Sequence, residues 1–355
     1  MKMTFPNPIS RCSGATRERL APISRIARCG AFSLIEIMVT VGLLSFIVLG
    51  LLAMFHQTQK AFRSGITQSD VLESGRATME MIAREIEQMK PAQSPDYFYK
   101  KGLPYRGTNF FAEPSPGFYD RVVQALPGSA FFRTNYVQRF GFTTQLNQDW
   151  IGIGYQVLPL DASGSVGSLY RFSTTNWPRS GRLRVSELLQ GGMYLALLNN
   201  DRGLPVTNVV YNPGQMVSIS RIAEGVVHLR LQAYAANGSL LTTNQFTGTN
   251  VYALAGYDPN RPYYLITNVH NTIVCDGKYG GSYDPQLACY FMSNAAPAYL
   301  ELELGMLEPQ VLQRYRSIAI DSARRDYISN HVGQVHIFRQ RIPIRNVDLS
   351  AYPVP

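Results

Sequence analysis

The stretch GAFSLIEIMVTVGLLSFIVLGLLAMF, Gly30 to Phe55, decides the architecture of this chain. Glu36 is the one ionisable side chain between Ala31 and Phe55. A helix of this length extends roughly 37 Å, which is enough to cross the hydrocarbon core of a bilayer with some tilt. A carboxylate at the bilayer centre costs about 2.5–3.5 kcal/mol on insertion scales, so intramembrane acids usually face protein and have a partner. Glu36 is therefore a candidate functional residue, and the alternative is a plain signal-anchor helix that tolerates an acid near one end.

The segment before this stretch, residues 1–31, is basic and poor in acids. It carries a net charge of +5 out of the +9 of the whole chain, through Lys2, Arg11, Arg17, Arg19, Arg25 and Arg28 against Glu18. A basic leader followed by an apolar run predicts that the N-terminus is cytoplasmic and that the C-terminal bulk lies across the membrane. Because most of the positive charge is in the leader, the basic pI is not evidence of nucleic-acid binding. We expect no nucleic-acid partner, since no Lys/Arg-rich run with interleaved aromatic residues follows residue 60.

The sequence AFSLIEIMV, residues 31–39, resembles the N-terminal processing motif of type IV pilins and type II secretion pseudopilins. The resemblance implies cleavage by a prepilin peptidase, N-methylation of the new N-terminal residue Phe32, and a role for Glu36 in filament assembly. In the family, the Glu of one subunit receives the N-terminal amine of a neighbour. The implied partners are the prepilin peptidase, other pilin or pseudopilin subunits and the inner membrane, with the head in the periplasm.

Two cleavage positions fit the motif around Gly30, Ala31 and Phe32. Cleavage after Ala31 makes Phe32 the first residue and Glu36 the fifth, as in the family. Cleavage after Gly30 keeps the usual Gly before the cut but makes Glu36 the sixth residue. We favour the first position because it preserves the spacing between Phe and Glu.

Periodicity divides the chain into a leader at 1–31, a membrane or filament-core helix at 32–55, an amphipathic continuation of that helix at 56–90 and an extracytoplasmic globular head at 91–355. In the continuation, apolar residues recur mostly at three-, four- and seven-residue steps: Phe62, Ile66, Leu72, Met79, Ile82, Ile86 and Met89. This stripe predicts core packing against a sheet, and Pro91 is expected to end the helix.

The sequence of the head, residues 91–355, predicts an antiparallel sheet. Residues 91–148 are rich in Pro, Gly and aromatic residues without a clear period, and predict long ordered loops with short elements. After residue 149, alternating apolar residues predict strands around 151–157, 168–173, 182–187, 216–221, 227–233, 250–255, 300–304 and 335–344, with a single helix from Glu308 to about Asp326. The fold class is therefore α+β, a long N-terminal helix packed on an antiparallel sheet.

That layout is similar to the pilin fold. Gly225–Ser239, a strand that runs into an Asn-Gly turn, and the helical stretch Arg76–Met89 also resemble J-type minor pseudopilins and W-type minor pilins. The resemblance implies a minor subunit of a type IV pilus-like or type II secretion filament, without catalytic activity of its own. The alternative is a membrane-anchored extracytoplasmic enzyme or carbohydrate-binding protein, which the aromatic-rich, weakly charged head favours.

Four cysteines are present, of which Cys12 and Cys29 lie in the leader. Cys275 and Cys289 remain, and they enclose a turn-rich segment in a compartment that permits disulfides. We predict a Cys275–Cys289 disulfide, which would contribute about 3 kcal/mol if it acts by reducing the entropy of the unfolded chain; two buried thiols are the alternative.

Motifs of catalytic or cofactor sites are missing from the sequence. The histidines, at 56, 228, 270, 331 and 336, form no zinc-ligand spacing, and surface or capping roles are expected for them. Gly152-Ile153-Gly154 lacks the third Gly of a dinucleotide fingerprint, and neither a nucleophile elbow nor a P-loop occurs. Asp276 and Asp284 are too few ligands for Ca²⁺. We therefore expect no metal and no cofactor.

Overall fold

A computed structural model describes residues 33–91, 108–115, 117–118, 122–126, 130–147, 149–175, 217–241, 263–268, 271–279, 282–293 and 295–347. The chain divides into two compact units, residues 1–61 and 62–355. The predicted strands at 182–187 and 250–255 lie outside the described residues. An N-terminal apolar helix and an antiparallel sheet are present, so the α+β class is confirmed.

Helix α1 runs from Leu34 to Ile86 without interruption. It ends four residues before Lys90, the expected end, because the chain turns at Glu87 and Gln88 and then joins the sheet. Met89 forms a β-bridge with Thr144, and the N–H of Lys90 donates to the Thr143 carbonyl at 2.9 Å. The start of the sheet contact therefore fixes the end of the helix before Pro91 does.

In the second unit, α1 buries one face against the sheet. Its buried residues are Val71, Gly75, Thr78, Met79, Ile82, Ala83 and Ile86, a three- to four-residue repeat typical of a core-facing helix. The predicted apolar stripe is thus only partly right. Phe62 and Ile66 are 67% and 60% exposed and precede the first buried turn, and Leu72 is 39% exposed because it lies about 100° around the helix from Val71.

Ten strands form one antiparallel sheet in the order β12-β11-β7-β6-β5-β4-β1-β10-β9-β8, and β2 and β3 form a separate two-stranded ribbon. The strands are β1 Thr108–Pro114, β2 Val123–Ala125, β3 Phe132–Thr134, β4 Gln138–Leu146, β5 Asp149–Pro159, β6 Gly167–Thr175, β7 Val217–Tyr234, β8 Tyr263–Asn268, β9 Asn271–Tyr279, β10 Ser282–Ser293, β11 Tyr299–Leu307 and β12 Val335–Pro343.

The sheet curls, so that strands three positions apart meet. The Leu231 N–H of β7 donates to the Gln138 side chain of β4 at 2.6 Å, and the Leu229 N–H donates to the carbonyl of Tyr136, just before β4, at 2.7 Å, although β5 and β6 separate β4 from β7 in the strand order. Gly225 lies in β7 at φ +74°, a conformation that favours glycine, close to where β7 exchanges β6 for β11 as its partner. Bulges beside this point increase the local twist and account for the curl.

Residues 91–148 contribute more to the sheet than predicted. β1 and β4 lie in its interior, between β5 and β10. Their alternation is hidden because both faces are buried: Phe110 belongs to the core beneath α1, whereas the next residue, Phe111, packs with Phe172 on the opposite face. A strand buried on both faces gives a continuous apolar run instead of an alternating pattern.

The predicted single helix from Glu308 to Asp326 is two helices, α2 at Pro309–Ser317 and α3 at Asp321–Asn330. Extended backbone at Ile318 and Ile320 separates them. The Arg324 Nε donates to the Ile318 carbonyl at 2.7 Å and satisfies a group that the break leaves outside a helix. Both helices cover one end of the sheet in a second apolar cluster, where Tyr315 and Ile328 are fully buried.

Gly75 of α1 packs closely against Phe338 of β12. A Cβ at Gly75 would lie 2.2 Å from two ring atoms of Phe338. We expect Gly75→Ala to destabilise the head by about 1–3 kcal/mol in chemical denaturation of the full-length chain in detergent, because the overpacking outweighs the gain in helix propensity. A Cβ at Gly65 of the same helix would meet nothing within 4 Å, so Gly65→Ala is the matched control and should be neutral or stabilising. Equal stability of the two variants would contradict the close approach.

Candidate membrane and assembly segment

The first half of α1 is an exposed apolar cylinder. From Leu34 to Phe55 the large apolar side chains are 52–77% exposed. By length and composition, α1 is the one helix in the described part of the chain that could cross a membrane. Such exposure is unfavourable in water, where apolar side chains favour burial. The segment is therefore suited to lipid or to contact with other apolar helices.

Hydroxyl groups inside this segment are satisfied within the helix. The Thr40 Oγ1 donates to the Ile37 carbonyl at 2.9 Å, and the Ser45 Oγ donates to the Val41 carbonyl at 2.8 Å. In a bilayer an unsatisfied polar group costs several kcal/mol, so these bonds make Thr40 and Ser45 compatible with lipid. The charged group of the segment, Glu36, is exposed in the first turn of α1.

Ser33 is the N-cap of α1. Its Oγ accepts the Glu36 N–H at 3.3 Å, and its carbonyl accepts the N–H groups of Glu36 and Ile37 at 3.0 and 3.2 Å. Ser at the N-cap with Glu three residues later is the capping-box pattern, and the helix dipole favours a carboxylate at this end. The sequence interpretation missed Ser33, although the S-x-x-E spacing before an apolar run was the available signal.

The predicted processing residues Gly30, Ala31 and Phe32 lie outside the described residues. Helix α1 begins directly after them, so the predicted cut would leave Ser33 and Glu36 together in the first turn. The cleavage and methylation assignments remain predictions.

The predicted disulfide partners are opposite each other in the sheet. Cys275 of β9 and Cys289 of β10 are cross-strand partners in the antiparallel register. Directly opposed residues in antiparallel strands have Cα atoms about 4.5–5.5 Å apart, within the range that a disulfide spans. The segment between them is a β-hairpin with a bulge instead of the expected loop, and the disulfide remains a prediction.

The histidines differ in environment. His56 is exposed on α1, His336 bonds Glu308 at 3.0 Å, and the Nδ1 of His331 lies 2.6 Å from the Tyr327 carbonyl. A surface or capping role is expected for His228, but this residue is only 4% exposed and lies 3.1 Å from Glu303. Within the described residues, no group of three or more His, Cys, Asp and Glu side chains could hold a metal ion.

A partly buried ionic cluster ties the last turn of α1 to the sheet. The Glu85 carboxylate accepts from the Tyr155 hydroxyl of β5 and from the Arg171 guanidinium of β6, whose Nη2 lies 2.8 Å away. Burial, followed by the charge of Glu85, raises the pKa of Tyr155 above its usual value, so the hydroxyl remains a donor at all physiological pH values. The cluster orients the helix on the sheet.

A hydroxyl cluster holds α2 and α3 on the loop between β5 and β6. The Tyr315 hydroxyl bonds Ser163 at 2.7 Å and Asp161 at 3.1 Å, and Arg324 lies 3.4 Å from Asp161. Ser163 is buried, and its hydroxyl bonds that of Tyr315, which itself donates to Asp161. The cluster is suited to holding the helices in place.

No family model, no curated protein and no solved structure matches this chain.

Proposed function

We propose that this chain is a minor pilin or pseudopilin, a structural subunit that is cleaved by prepilin peptidase and then assembles in, or caps, a type IV pilus-like or type II secretion filament. The observation that carries the proposal is Phe32-Ser33-Leu34-Ile35-Glu36 at the start of a helix whose first half is apolar and exposed. The second half of the same helix is packed on an antiparallel sheet.

The chemistry of Glu36 supports an assembly role. Removal of the leader before Phe32 would create a positively charged α-amine four residues before Glu36. Two unpaired charges in an apolar filament core would each cost several kcal/mol, whereas an amine–carboxylate pair offsets most of that cost. The pair would thus act as a register device between subunits, with Glu36 of one subunit receiving the amine of another.

The same proposal places the chain in the inner membrane with a single span and the head in the periplasm. The basic segment 1–31 would stay cytoplasmic, since Lys and Arg are retained on that side. The head would contact other minor subunits and would perform no catalysis. The size of the head, larger than a major pilin requires, supports a minor subunit of the J or W type.

The test is the mass of the mature N-terminus. The full-length chain is expressed with an active prepilin peptidase and, as the matched control, with a catalytically inactive one, and both products are analysed by mass spectrometry. We expect a chain that begins at methylated Phe32 only with the active enzyme. A second variant, Phe32→Ala, separates peptidase recognition from nonspecific proteolysis, because a nonspecific cut would persist in it.

Two other N-termini would each have a different meaning for the proposal. A start at Ala31 would retain cleavage but contradict the five-residue spacing from the N-terminus to Glu36. An uncut chain that begins at Met1 would overturn the proposal.

A further inference from the structure

Residues 135–137, which connect β3 to β4, fasten the β2–β3 ribbon to the main sheet. The Tyr136 N–H donates to the His228 Nδ1 at 3.0 Å, and the Tyr136 carbonyl accepts the Leu229 N–H at 2.7 Å. Val137 forms a parallel β-bridge with Leu229. We call residues 135–137 the junction. The Val137 carbonyl also accepts the Ser115 N–H at 2.9 Å. Two of the bonds of the junction to β7 are at the Tyr136 backbone, and one of their partners is a titratable side chain.

The junction fixes the protonation state of His228. A backbone N–H can only donate, so the Nδ1 that receives it must be unprotonated. The proton of the neutral ring is then on Nε2, which donates to the Glu303 carboxylate at 3.1 Å. This arrangement satisfies both ring nitrogens of a side chain that is 4% exposed.

Charged groups from four strands face this pair. Glu303 of β11 favours a charged ring, but it is already paired with Arg339 of β12. Arg230 of β7 and Arg133 of β3 disfavour a second positive charge. Burial, the largest cause, lowers the pKa of His228 below its usual value despite the bond to Glu303. The hydrogen bond from His228 likewise lowers the pKa of Glu303, to about 2.

We propose that His228 is a proton-operated latch: when its Nδ1 takes up a proton from solvent, it ceases to accept the Tyr136 N–H, and the junction separates from β7. Protonation places two N–H donors against each other where one bond existed, and it adds a cation near Arg133 and Arg230. Opening of the junction hydrates the ring and removes both conflicts.

The direction of the pH effect follows from linkage. The open junction exposes His228, whose pKa then returns to about 6.5, while the closed junction holds it lower. The open state thus binds more protons, and the ratio of closed to open junction decreases as the pH falls below about 6.5, by up to tenfold per pH unit until the lower pKa is reached. Above pH 6.5 the junction stays closed.

The ribbon that the latch controls carries exposed apolar side chains. Phe131 and Phe132 are 75% and 69% exposed, and Val123 is 43% exposed. On the other side, the Gln124 Nε2 donates to the Ile328 carbonyl of α3 at 2.7 Å. The ribbon therefore remains attached to α3 when the junction opens, and acid changes its mobility without unfolding the head.

Amide hydrogen exchange tests the latch in the full-length chain in detergent. Protection factors, corrected for the intrinsic pH dependence of exchange, are measured at pH 7.5 and 5.0 for the amides of Tyr136 and Leu229. We expect them to fall at the lower pH, by up to about thirtyfold, the limit that linkage sets over the 1.5 pH units below 6.5. In His228→Asn, whose side-chain oxygen can accept near the position of Nδ1 without titrating in this range, the fall should vanish.

Two controls localise the effect. His336→Asn removes the other histidine that pairs with a glutamate, Glu308, and should leave the fall at Tyr136 unchanged. The amide of Tyr155, in the buried strand β5, should keep its protection at pH 5.0. An equal fall at Tyr155 would indicate global acid unfolding, and an unchanged Tyr136 or an undiminished fall in His228→Asn would also overturn the proposal.

A measurement on the unmodified chain does not depend on the folding of any variant. The ¹⁵N shifts of the His228 ring at pH 7.5 should be those of the tautomer with the proton on Nε2. A proton on Nδ1 at that pH would overturn the latch, because Nδ1 could not accept from Tyr136.

Discussion

Replacing Glu36 with alanine should reduce incorporation of this subunit into filaments by at least tenfold and leave its insertion into the membrane unchanged. The reason is the difference between two environments. In a bilayer the variant removes a carboxylate that would cost about 2.5–3.5 kcal/mol at the bilayer centre and less near the end of the helix, where Glu36 lies, so insertion is not weakened. If the chain assembles as we propose, the variant removes the partner of the Phe32 amine in the filament core, and an unpaired buried charge costs about 3–5 kcal/mol.

The measurement is the ratio of subunit in sheared filaments to subunit in the membrane fraction, determined by quantitative immunoblotting in a strain that makes the filament. Glu36→Ala should leave the helix start intact, because the bond that Ser33 makes is to the backbone N–H of Glu36 and not to its side chain. Ser45→Ala is the matched control: it changes a polar residue of the same segment whose hydroxyl bonds within the helix, and it should assemble normally.

Glu36→Asp refines the test. It keeps the charge but shortens the reach by one methylene, so we expect partial incorporation between that of the wild type and that of Glu36→Ala. If Glu36→Ala assembles as well as Ser45→Ala does, the carboxylate has no role in assembly. If Glu36→Ala and Glu36→Asp both fail to reach the membrane, the defect lies in insertion and the assembly argument is wrong.

The sequence predicted best those elements whose two faces differ. Leu300, Leu302 and Leu304 alternate with polar residues, and β11 was expected where it is found. Glu301 and Glu303, the polar residues of that alternation, are nevertheless only 8% and 7% exposed. They are covered because the register places arginines of β12 beside them, a relation that the spacing within β11 does not contain.

Elements were missed where a contact distant in sequence decides the structure. The two-sided burial of β1, with Phe110 and Phe111 in different clusters, removes the alternation that a pattern search needs. At the break between α2 and α3, the Arg324 Nε donates to the Ile318 carbonyl, a contact that the spacing of apolar residues in this segment does not reveal.

The candidate segment shows the same division. Glu36 could be found from sequence because a lone acid in an apolar helix is unfavourable wherever it lies. The burial of His228 could not be predicted from the sequence, because only the pairing of the strands brings Tyr136 and Glu303 into contact with it. The sequence thus predicts sites formed by residues that are close together in the chain. Sites formed by residues on different strands require the register of the sheet.

Replacing Glu85 with alanine should destabilise the head by about 2–3 kcal/mol. The carboxylate is the shared acceptor of the Tyr155 hydroxyl and the Arg171 guanidinium. Its loss therefore leaves a fully buried hydroxyl and a half-buried cation without this acceptor. Breaking a fully buried ion pair costs about 3–5 kcal/mol. The value here is lower because the Arg171 and Glu85 side chains are 24% and 21% exposed and water can reach the stranded charge.

The measurement is chemical denaturation of the full-length chain in detergent, followed by near-ultraviolet circular dichroism. Glu87→Ala is the matched control, two residues along the same chain. Glu87 pairs with Arg345 at 3.3 Å, but Arg345 is 78% exposed, so the loss of that pair should cost less than about 1 kcal/mol. Similar losses in both variants would show that the Glu85 cluster contributes no more than a surface pair.

The double variant Glu85→Ala with Arg171→Met separates the cost of leaving the Arg171 cation unpaired from the cost of leaving the Tyr155 hydroxyl without its acceptor. If the cost of Glu85→Ala comes mainly from the stranded cation, removing that cation should recover most of the lost stability, since an apolar replacement of a buried ion pair is often neutral. If the double variant is as unstable as Glu85→Ala alone, the loss comes from the stranded Tyr155 hydroxyl. In either case the Glu85 carboxylate joins the last turn of α1 to two strands of the sheet at once, β5 and β6.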